Sequence, residues 1–247
     1  FEVSCQIETN SLYKFLGTEK LIKFRNLKIT MLKEKIFNNK EKLKILARVV
    51  AHYMGDGCIT NKYAAYFNKN EILLNNFERD IITLFEGVHI TKGMYNSGTK
   101  LIQIQNKQII NFLKELLPDY RSGALKFPKF INSKELQKEF LRALFDDEGC
   151  VAFRVHKPTG DLKRNLSLAS KSKKLIEDIK YTLETNFDIK CNKINEYTAK
   201  KWGKEYPIFT LFISGKENFV RFKDLINFDH PSKRERLNVM ISSYVRK

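Results

Sequence analysis

The stretch Leu141-Arg142-Ala143-Leu144-Phe145-Asp146-Asp147-Glu148-Gly149-Cys150 decides how this chain folds, because its plan occurs twice. The other copy is Val49-Val50-Ala51-His52-Tyr53-Met54-Gly55-Asp56-Gly57-Cys58. Each is the end of an apolar helical pattern, and each closes on an acid, a glycine and a cysteine. The two acids, Asp56 and Glu148, stand 92 positions apart, about one repeat. Small residues occupy matched helical positions, Ala51 and Gly55 in the first copy and Ala143 in the second, and small residues let two helix backbones approach closely. Packed side by side, the helices would bring Asp56 and Glu148 together at one end, at the edge of the sheets. A carboxylate at a helix C-terminus opposes the helix dipole, and two close carboxylates repel. A shared divalent cation relieves both penalties, and hard oxygen ligands favour Mg2+. The plainer alternative is a solvated helix end before a glycine cap; the matched pairing in a duplicated chain weighs against it.

Working outward, the same order of elements follows each copy. After Gly57 come short strands within Cys58–Asn68, then a helix over Asn70–Phe85 with Ile72, Leu73, Phe77, Ile81, Ile82 and Leu84 at helical spacing. A hairpin pairs Val88–Ile90 with Leu101–Gln105 around Tyr95-Asn96-Ser97-Gly98, and a helix over Gln108–Leu117 ends before Pro118. In the second half a helix over Ser133–Glu148, capped by Asn132 or Ser133, leads to strands Cys150–Val155 and Asn165–Ala169 around His156–Gly160. A helix over Lys171–Asn186 follows, then a hairpin of Ile189–Tyr197 and Tyr206–Ser214 with Lys200-Lys201-Trp202-Gly203 near its tip. Helices over Glu217–Asn227 and Ser232–Tyr244 finish the chain. This is an internal duplication. The organisation expected is a helical extension of unknown role over 1–40, a first repeat over 41–131 and a second over 132–247.

The chain's 247 residues carry 45 Lys+Arg against 28 Asp+Glu, a formal charge of +17. Its 43% hydrophobic and 12% aromatic residues exclude disorder, and it has no apolar run of about 18 residues that would cross a membrane. The charge asks for an anionic partner: nucleic acid first, an anionic membrane surface second. No long helix sets a lysine-rich face against an aromatic anchor, so no membrane is expected. The opening Phe1-Glu2-Val3-Ser4-Cys5 lacks a signal-peptide layout and suggests a trimmed product. Cys5, Cys58, Cys150 and Cys191 are far apart, which excludes zinc fingers and a disulfide scaffold. They read as buried free thiols of an intracellular, reducing compartment, Cys58 and Cys150 being small core residues. His52, His89, His156 and His230 are scattered, and no P-loop, H-E-x-x-H, G-x-G-x-x-G or G-x-S-x-G pattern occurs. Catalysis, if present, rests on carboxylates, lysines or metal.

On these residues the chain resembles the LAGLIDADG homing endonuclease family in its single-chain, two-repeat form. The second copy matches closely, Phe140 included; the first departs at His52, where an aliphatic residue is usual. The similarity runs over about 42–245, including Phe228-Asp229-His230-Pro231-Ser232-Lys233-Arg234-Glu235-Arg236-Leu237. The resemblance implies an α+β fold: two αββαββα repeats in pseudo-twofold duplication, with two antiparallel saddle-shaped sheets packed through a central pair of motif helices. It also implies a monomeric, intron-encoded DNA endonuclease that hydrolyses both strands of a duplex with a long, partly asymmetric target site. Two or three Mg2+ ions would be shared between Asp56 and Glu148, helped by the backbone carbonyls of Gly55 and Asp147. Family members place a polar residue and a lysine at a strand end near the scissile phosphate, and Asn68-Lys69 and Ser170-Lys171 fit. Lys69 and Lys171 would then orient water or neutralise developing charge.

Strands facing a major groove alternate core positions with base-reading ones. Ile102 and Ile104 alternate with Leu101, Gln103 and Gln105; Leu166 and Leu168 alternate with Asn165, Ser167 and Ala169. Gln103 and Gln105 suit adenine, while Arg154, Lys163, Arg164, Lys190 and Lys193 suit guanine or phosphate, with Ser167 and Tyr197 as further contacts. Asn68 and Ser170 join this set by position. The stretch Tyr63-Ala64-Ala65-Tyr66-Phe67 has no clean alternation. Two alternatives keep the fold and change the role: an RNA-splicing maturase with intron RNA as partner, or a silent nucleic-acid-binding protein. A third is the nuclease insert of an intein, although Phe1 and the ending Ser243–Lys247 lack self-splicing residues.

Overall fold

The computed structural model describes residues 30–118, 120, 123–155, 160, 162–201 and 203–244. The expectations for 1–29, for most of the turn at 156–159 and for Trp202 lie outside these residues. One compact unit covers Phe1–Leu43, described only as a helical stretch at 30–37 and the residues after it. The other, Lys44–Lys247, holds both repeats.

Helix α1 (Lys40–Met54) buries Leu46, Ala47, Val49, Val50, Ala51, Tyr53 and Met54 along its C-terminal half. Helix α4 (Lys134–Glu148) buries Leu136, Phe140, Leu141, Ala143, Leu144 and Phe145. Apolar residues at successive positions leave no solvent face, which marks a helix enclosed on several sides. Ser133 caps α4 through its hydroxyl, which accepts from the Leu136 N–H. Both helices stop at the same chemistry. A Cβ added at Gly57 would stand 2.4 Å from Tyr53 Cα, and one at Gly149 2.4 Å from the Phe145 carbonyl oxygen. Only glycine lets the chain turn back so tightly against the last helical turn and enter a strand.

From there the halves run in parallel. The first repeat continues as β1 (Gly57–Ile59), β2 (Ala64–Asn68), α2 (Glu71–Leu84), β3 (Ile90–Met94), β4 (Lys100–Ile104) and α3 (Lys107–Leu116). The second continues as β5 (Gly149–Val155), β6 (Leu162–Ser170), α5 (Lys173–Asn186), β7 (Asn195–Lys201), β8 (Lys204–Ile213) and α6 (Lys216–Leu225), with a closing helix α7 (Pro231–Ser242). The sheets are antiparallel with matching orders, β1-β2-β4-β3 and β5-β6-β8-β7. The long helices of both sheets open on side-chain caps two residues past the sheet, Asn70 for α2 and Ser172 for α5. This is the duplicated α+β fold the two acid-Gly-Cys ends imply.

Register assigns the face of the stretch that lacked alternation. Ala65 pairs with Gln103 and Phe67 with Leu101, so Ala64, Tyr66 and Asn68 share the other face. Two expectations are corrected. The continuous ladder of the second hairpin begins at Asn195 rather than Ile189: Asp188 takes a positive φ of 52°, Ile189 is buried and the Lys190 N–H donates to Asn218 Oδ1, so this segment keeps only an isolated bridge from Cys191 to Ile213. The three described cysteines are free, yet Cys150 is exposed and Cys58 and Cys191 half-buried. Cys150 follows a glycine into the sheet and pairs with Ser167 on the face opposite the buried Val151 and Leu168, while Cys58 pairs with the buried Ala65 in the first sheet.

Candidate metal and nucleic-acid site

The motif helices lie alongside each other, C-terminal ends together. A Cβ at Gly55 would stand 2.7 Å from Asp147 Cβ, so the absence of a side chain there makes room for Asp147. Further back, Arg48 of α1 donates to Glu139 of α4 at 2.9 Å and to both carboxylate oxygens of Asp80 in α2 at 2.7 and 2.8 Å. The acids Asp56 and Glu148 thus occupy equivalent places at one end of the helix pair, and both are exposed. Crowding by protein and then the charge of Asp147 push Asp56 from an ordinary 3.8 to about 6. Crowding, then the charges of Asp56 and Asp147, push Glu148 from 4.5 to about 7. Each acid is held uncomfortably when ionised, which is the field that a cation relieves.

The donor set therefore fits a hard divalent ion: two accessible carboxylates at helix C-termini, where carbonyl oxygens also gather. Among the described residues no group of three or more His, Cys, Asp or Glu stands ready to hold a metal. A metal here would take its remaining oxygens from backbone, phosphate or water.

A further cation belongs to the site. Lys233, in the first turns of α7, donates through Nζ to the carbonyls of Phe145, Asp146 and Asp147 at 3.2, 2.6 and 3.2 Å. The Asp146 and Asp147 carbonyls are orphan acceptors at the end of α4, while that of Phe145 also accepts the Gly149 N–H, and an ammonium there offsets the dipole. Its position is locked from below, since the buried Asp146 carboxylate accepts the N–H groups of Asp229 and His230, 2.9 to 3.1 Å away, where α7 begins. Burial pulls Lys233 below its ordinary value, opposed by Asp146, Asp147 and Asp56. The sequence placed Lys233 only inside a family-like ending; the Pro231 that starts its helix was the available signal.

The other expected residues divide. Asn68 reaches the acids: its Nδ2 donates to Asp56 Oδ2 at 3.3 Å and to Asp147 Oδ1 at 3.3 Å. Lys69 is exposed one residue further on. Glu148, Ser170, Lys171 and Tyr197 line one cavity of about 290 Å3 with Gly55, Met54 and Leu144. Lys171 Nζ lies 3.7 Å over the Tyr206 ring. On the open face of the second sheet, Arg154 stands directly opposite Lys163, with Ser167 further along beside Cys150. Like charges facing across a strand pair are destabilising unless something anionic covers them. Gln103 lies half-buried on the face away from Ile102 and Ile104, and Gln105 is exposed just past the strand. Two residues are not brought to this face. Arg164 has the parity of Leu166 and Leu168, donates to Ser243 Oγ at 2.8 Å and to the Ser243 carbonyl at 3.0 Å, and stacks 4.4 Å from the Tyr244 ring. Lys190 sits beside the start of α6 rather than in a strand, and Lys193 is exposed ahead of β7.

Residues 135–227 match the family model described as a LAGLIDADG-like domain. The fold is similar over 80% of this chain and 98% of the other to variants of the homing endonuclease I-DmoI, with a TM-score of 0.54 at 16% identity. The second repeat thus matches a LAGLIDADG-like domain, on a fold shared with that homing endonuclease. Similar folds include I-DmoI solved in complex with DNA and Ca, TM-score 0.53 at 15% identity over 80% of this chain and 98% of that one. Full-length DUF199/WhiA from Thermatoga maritima is also similar, TM-score 0.52 at 12% identity over 88% of this chain and 66% of that one. Among curated proteins, this chain is 28% identical over 206 residues to a replication factor C small subunit of Methanocaldococcus jannaschii, covering 82% of the chain and 10% of that protein. It is 31% identical over 198 residues to a probable translation initiation factor IF-2 of the same organism, covering 76% of the chain and 15% of that protein. The chain thus spans 10% and 15% of the length of these curated relatives.

Proposed function

We propose that this protein is a site-specific double-strand DNA endonuclease, acting as a monomer and depending on Mg2+. The observation that carries the reading is the pairing of Asp56 and Glu148, two accessible acids at matched helix ends, each raised by the crowding of protein around it and then by neighbouring negative charge. These two acids would hold the metal, with the carbonyls of Gly55 and Asp147 completing the oxygen set. When bound, the metal supplies Lewis-acid chemistry to a phosphodiester. The protein's own groups do the rest. Arg154, Lys163 and Ser167 bind the backbone across the open face of the second sheet, and Gln103 and Gln105 read bases from the first. Lys69, Lys171 and Lys233 offset negative charge around the acids; Lys171 leaves the Tyr206 ring when phosphate arrives. Water cleaves the P–O bond, so no protein nucleophile is required, in keeping with the absence of a nucleophile motif.

Support comes also from the homing endonuclease I-DmoI, a similar fold solved in complex with DNA and Ca. That the chain matches a small part of two proteins of unrelated name supports a module carried inside larger chains. The test is to incubate the protein with Mg2+ and a pool of randomised duplexes and sequence the cut ends. A single enriched site with both strands cut is the expected result. Binding of RNA with no cut product from any duplex would instead establish the maturase or silent-binder reading.

A further inference from the structure

The first motif's departure from its family, His52, has its partner in the second motif. His52 is buried, and its Nδ1 stands 2.8 Å from Asp147 Oδ2, across the repeat interface. The other carboxylate oxygen, Oδ1, accepts the Tyr66 hydroxyl at 2.7 Å and the Asn68 amide at 3.3 Å. The Asn68 amide cannot flip: its Oδ1 already accepts the Asn70 N–H at 2.9 Å, so its NH2 must face the acids. Of its two hydrogens, one faces Asp56 Oδ2 at 3.3 Å and the other is shared between Asp147 Oδ1 and the neighbouring Tyr66 hydroxyl oxygen, 2.9 Å from the nitrogen. The aromatic part of the chain is itself wedged, with the Tyr66 ring 4.6 Å from Phe77 and 4.8 Å from His52. A continuous run of hydrogen bonds therefore leads from His52 through Asp147 and Asn68 to the first metal-site acid.

The second acid has nothing comparable. At the positions equivalent to His52, Asp147 and Tyr66 stand Leu144, Gly55 and Leu168, none with a side chain that hydrogen-bonds. The counterpart of Asn68 is Ser170, whose hydroxyl is engaged with the Ser172 N–H at 3.1 Å. No described side chain hydrogen-bonds the Glu148 carboxylate. We infer that the Asp147 side chain is a positioning residue: organised by His52 and Tyr66, it fixes Asp56 through Asn68, while Glu148 is left free. The two halves of the site are thereby made unequal, and the acid of the first repeat is preorganised by a residue of the second. This rests on the nuclease reading, because it assigns a use to the orientation of Asp56.

Its consequence is a difference between the strands. Tyr66→Phe removes one hydroxyl and keeps the ring packing; Asp147→Asn keeps the volume and spoils the acceptor pattern. On a duplex recovered by the selection above, labelled on each strand separately, both variants should slow one strand about tenfold and the other less than twofold. Gly55→Ala, which crowds Asp147, should slow the same strand. Thermal melting separates this from damage to the fold, and Mn2+ binding to the full chain, followed by electron paramagnetic resonance, gives a readout that needs no cleavage. Tyr66→Phe is expected to weaken Mn2+ binding about tenfold with a near-parental melting temperature. Equal slowing of both strands, or unchanged Mn2+ binding, overturns the inference. If the parent cuts nothing, the nuclease reading fails, and weakened Mn2+ binding in Tyr66→Phe would still uphold the relay.

Discussion

Removing the charge of either helix-end acid should make the metal-free protein more stable above pH 7. Glu148 stands near 7 against an ordinary 4.5, and Asp56 near 6 against 3.8. At about 1.4 kcal/mol per pH unit, such shifts would be worth roughly 3 kcal/mol for each acid. Both side chains are exposed, however, and solvent screening reduces exposed charge interactions to about 1 kcal/mol. The sign follows from linkage. A carboxyl raised in the folded state binds its proton more tightly there than in the unfolded chain. Its contribution is complete below the unfolded value near 4 and is lost as pH rises through 6 and 7. Asp56→Asn and Glu148→Gln escape that loss. At pH 8 each should melt about 2–4 °C above the parent, the shift that about 1 kcal/mol gives a domain of this size. At pH 4 the difference should vanish. Circular dichroism melts from pH 4 to 8.5 in chelator measure this, and repeating them in Mg2+ should raise the parent but not Asp56→Asn. Variants that melt at or below the parental temperature at pH 8 would show that the acids are not mutually strained, and the argument for a shared cation would lose its basis.

Arg48→Met should cost about 3 kcal/mol in a denaturant melt, since it leaves the buried Asp80 carboxylate without its bidentate partner; a loss near zero would mean that Asp80 is neutral or hydrated. Lys233→Met should cut the cleavage rate about a hundredfold while duplex affinity, read by fluorescence anisotropy, changes less than threefold. Affinity should fall steeply with salt, and Lys163→Ala should lower the slope of log K against log salt by about 1, uniformly across sequences. Arg164→Ala should leave that slope unchanged, because its guanidinium is spent on Ser243 and Tyr244.

The duplication was legible because it is written locally: each motif helix carries its apolar run, its terminal acid and the glycine that turns the chain into a strand. Caps and hairpin turns are local too, which is why Ser133 and the Tyr95–Gly98 turn are found where the residues suggest. What failed was parity and long-range pairing. Arg164 is basic like Lys163, and only the register that sets Arg164 opposite Phe153 reveals that it points toward the helices. Cys150 reads as a small core residue by composition, yet one step of strand alternation turns it outward. Lys233 and the relay through Asp147 depend on contacts spanning 79 to 95 positions, for which the sequence offers no spacing rule.

Those long-range contacts also explain why the repeats share one chain. In an assembly of two identical copies related by twofold symmetry, positions equivalent to Gly55 and Asp147 would be the same residue on both helices. Two aspartates could not fit where a Cβ at residue 55 already falls 2.7 Å from its neighbour, and two glycines would have no carboxylate to offer. A histidine at both equivalents of His52 would likewise find no acid. Joining the repeats covalently lets one helix keep the glycine and the other the aspartate, so close helix packing and a buried polar contact coexist at one interface. The same asymmetry extends to Arg48, whose partners Asp80 and Glu139 come from different repeats. Duplication gives this fold its two acids at matching helix ends, and divergence after duplication lets those ends be supported differently. On the proposed nuclease reading, a duplex with an asymmetric sequence is the substrate for which such a difference has a use.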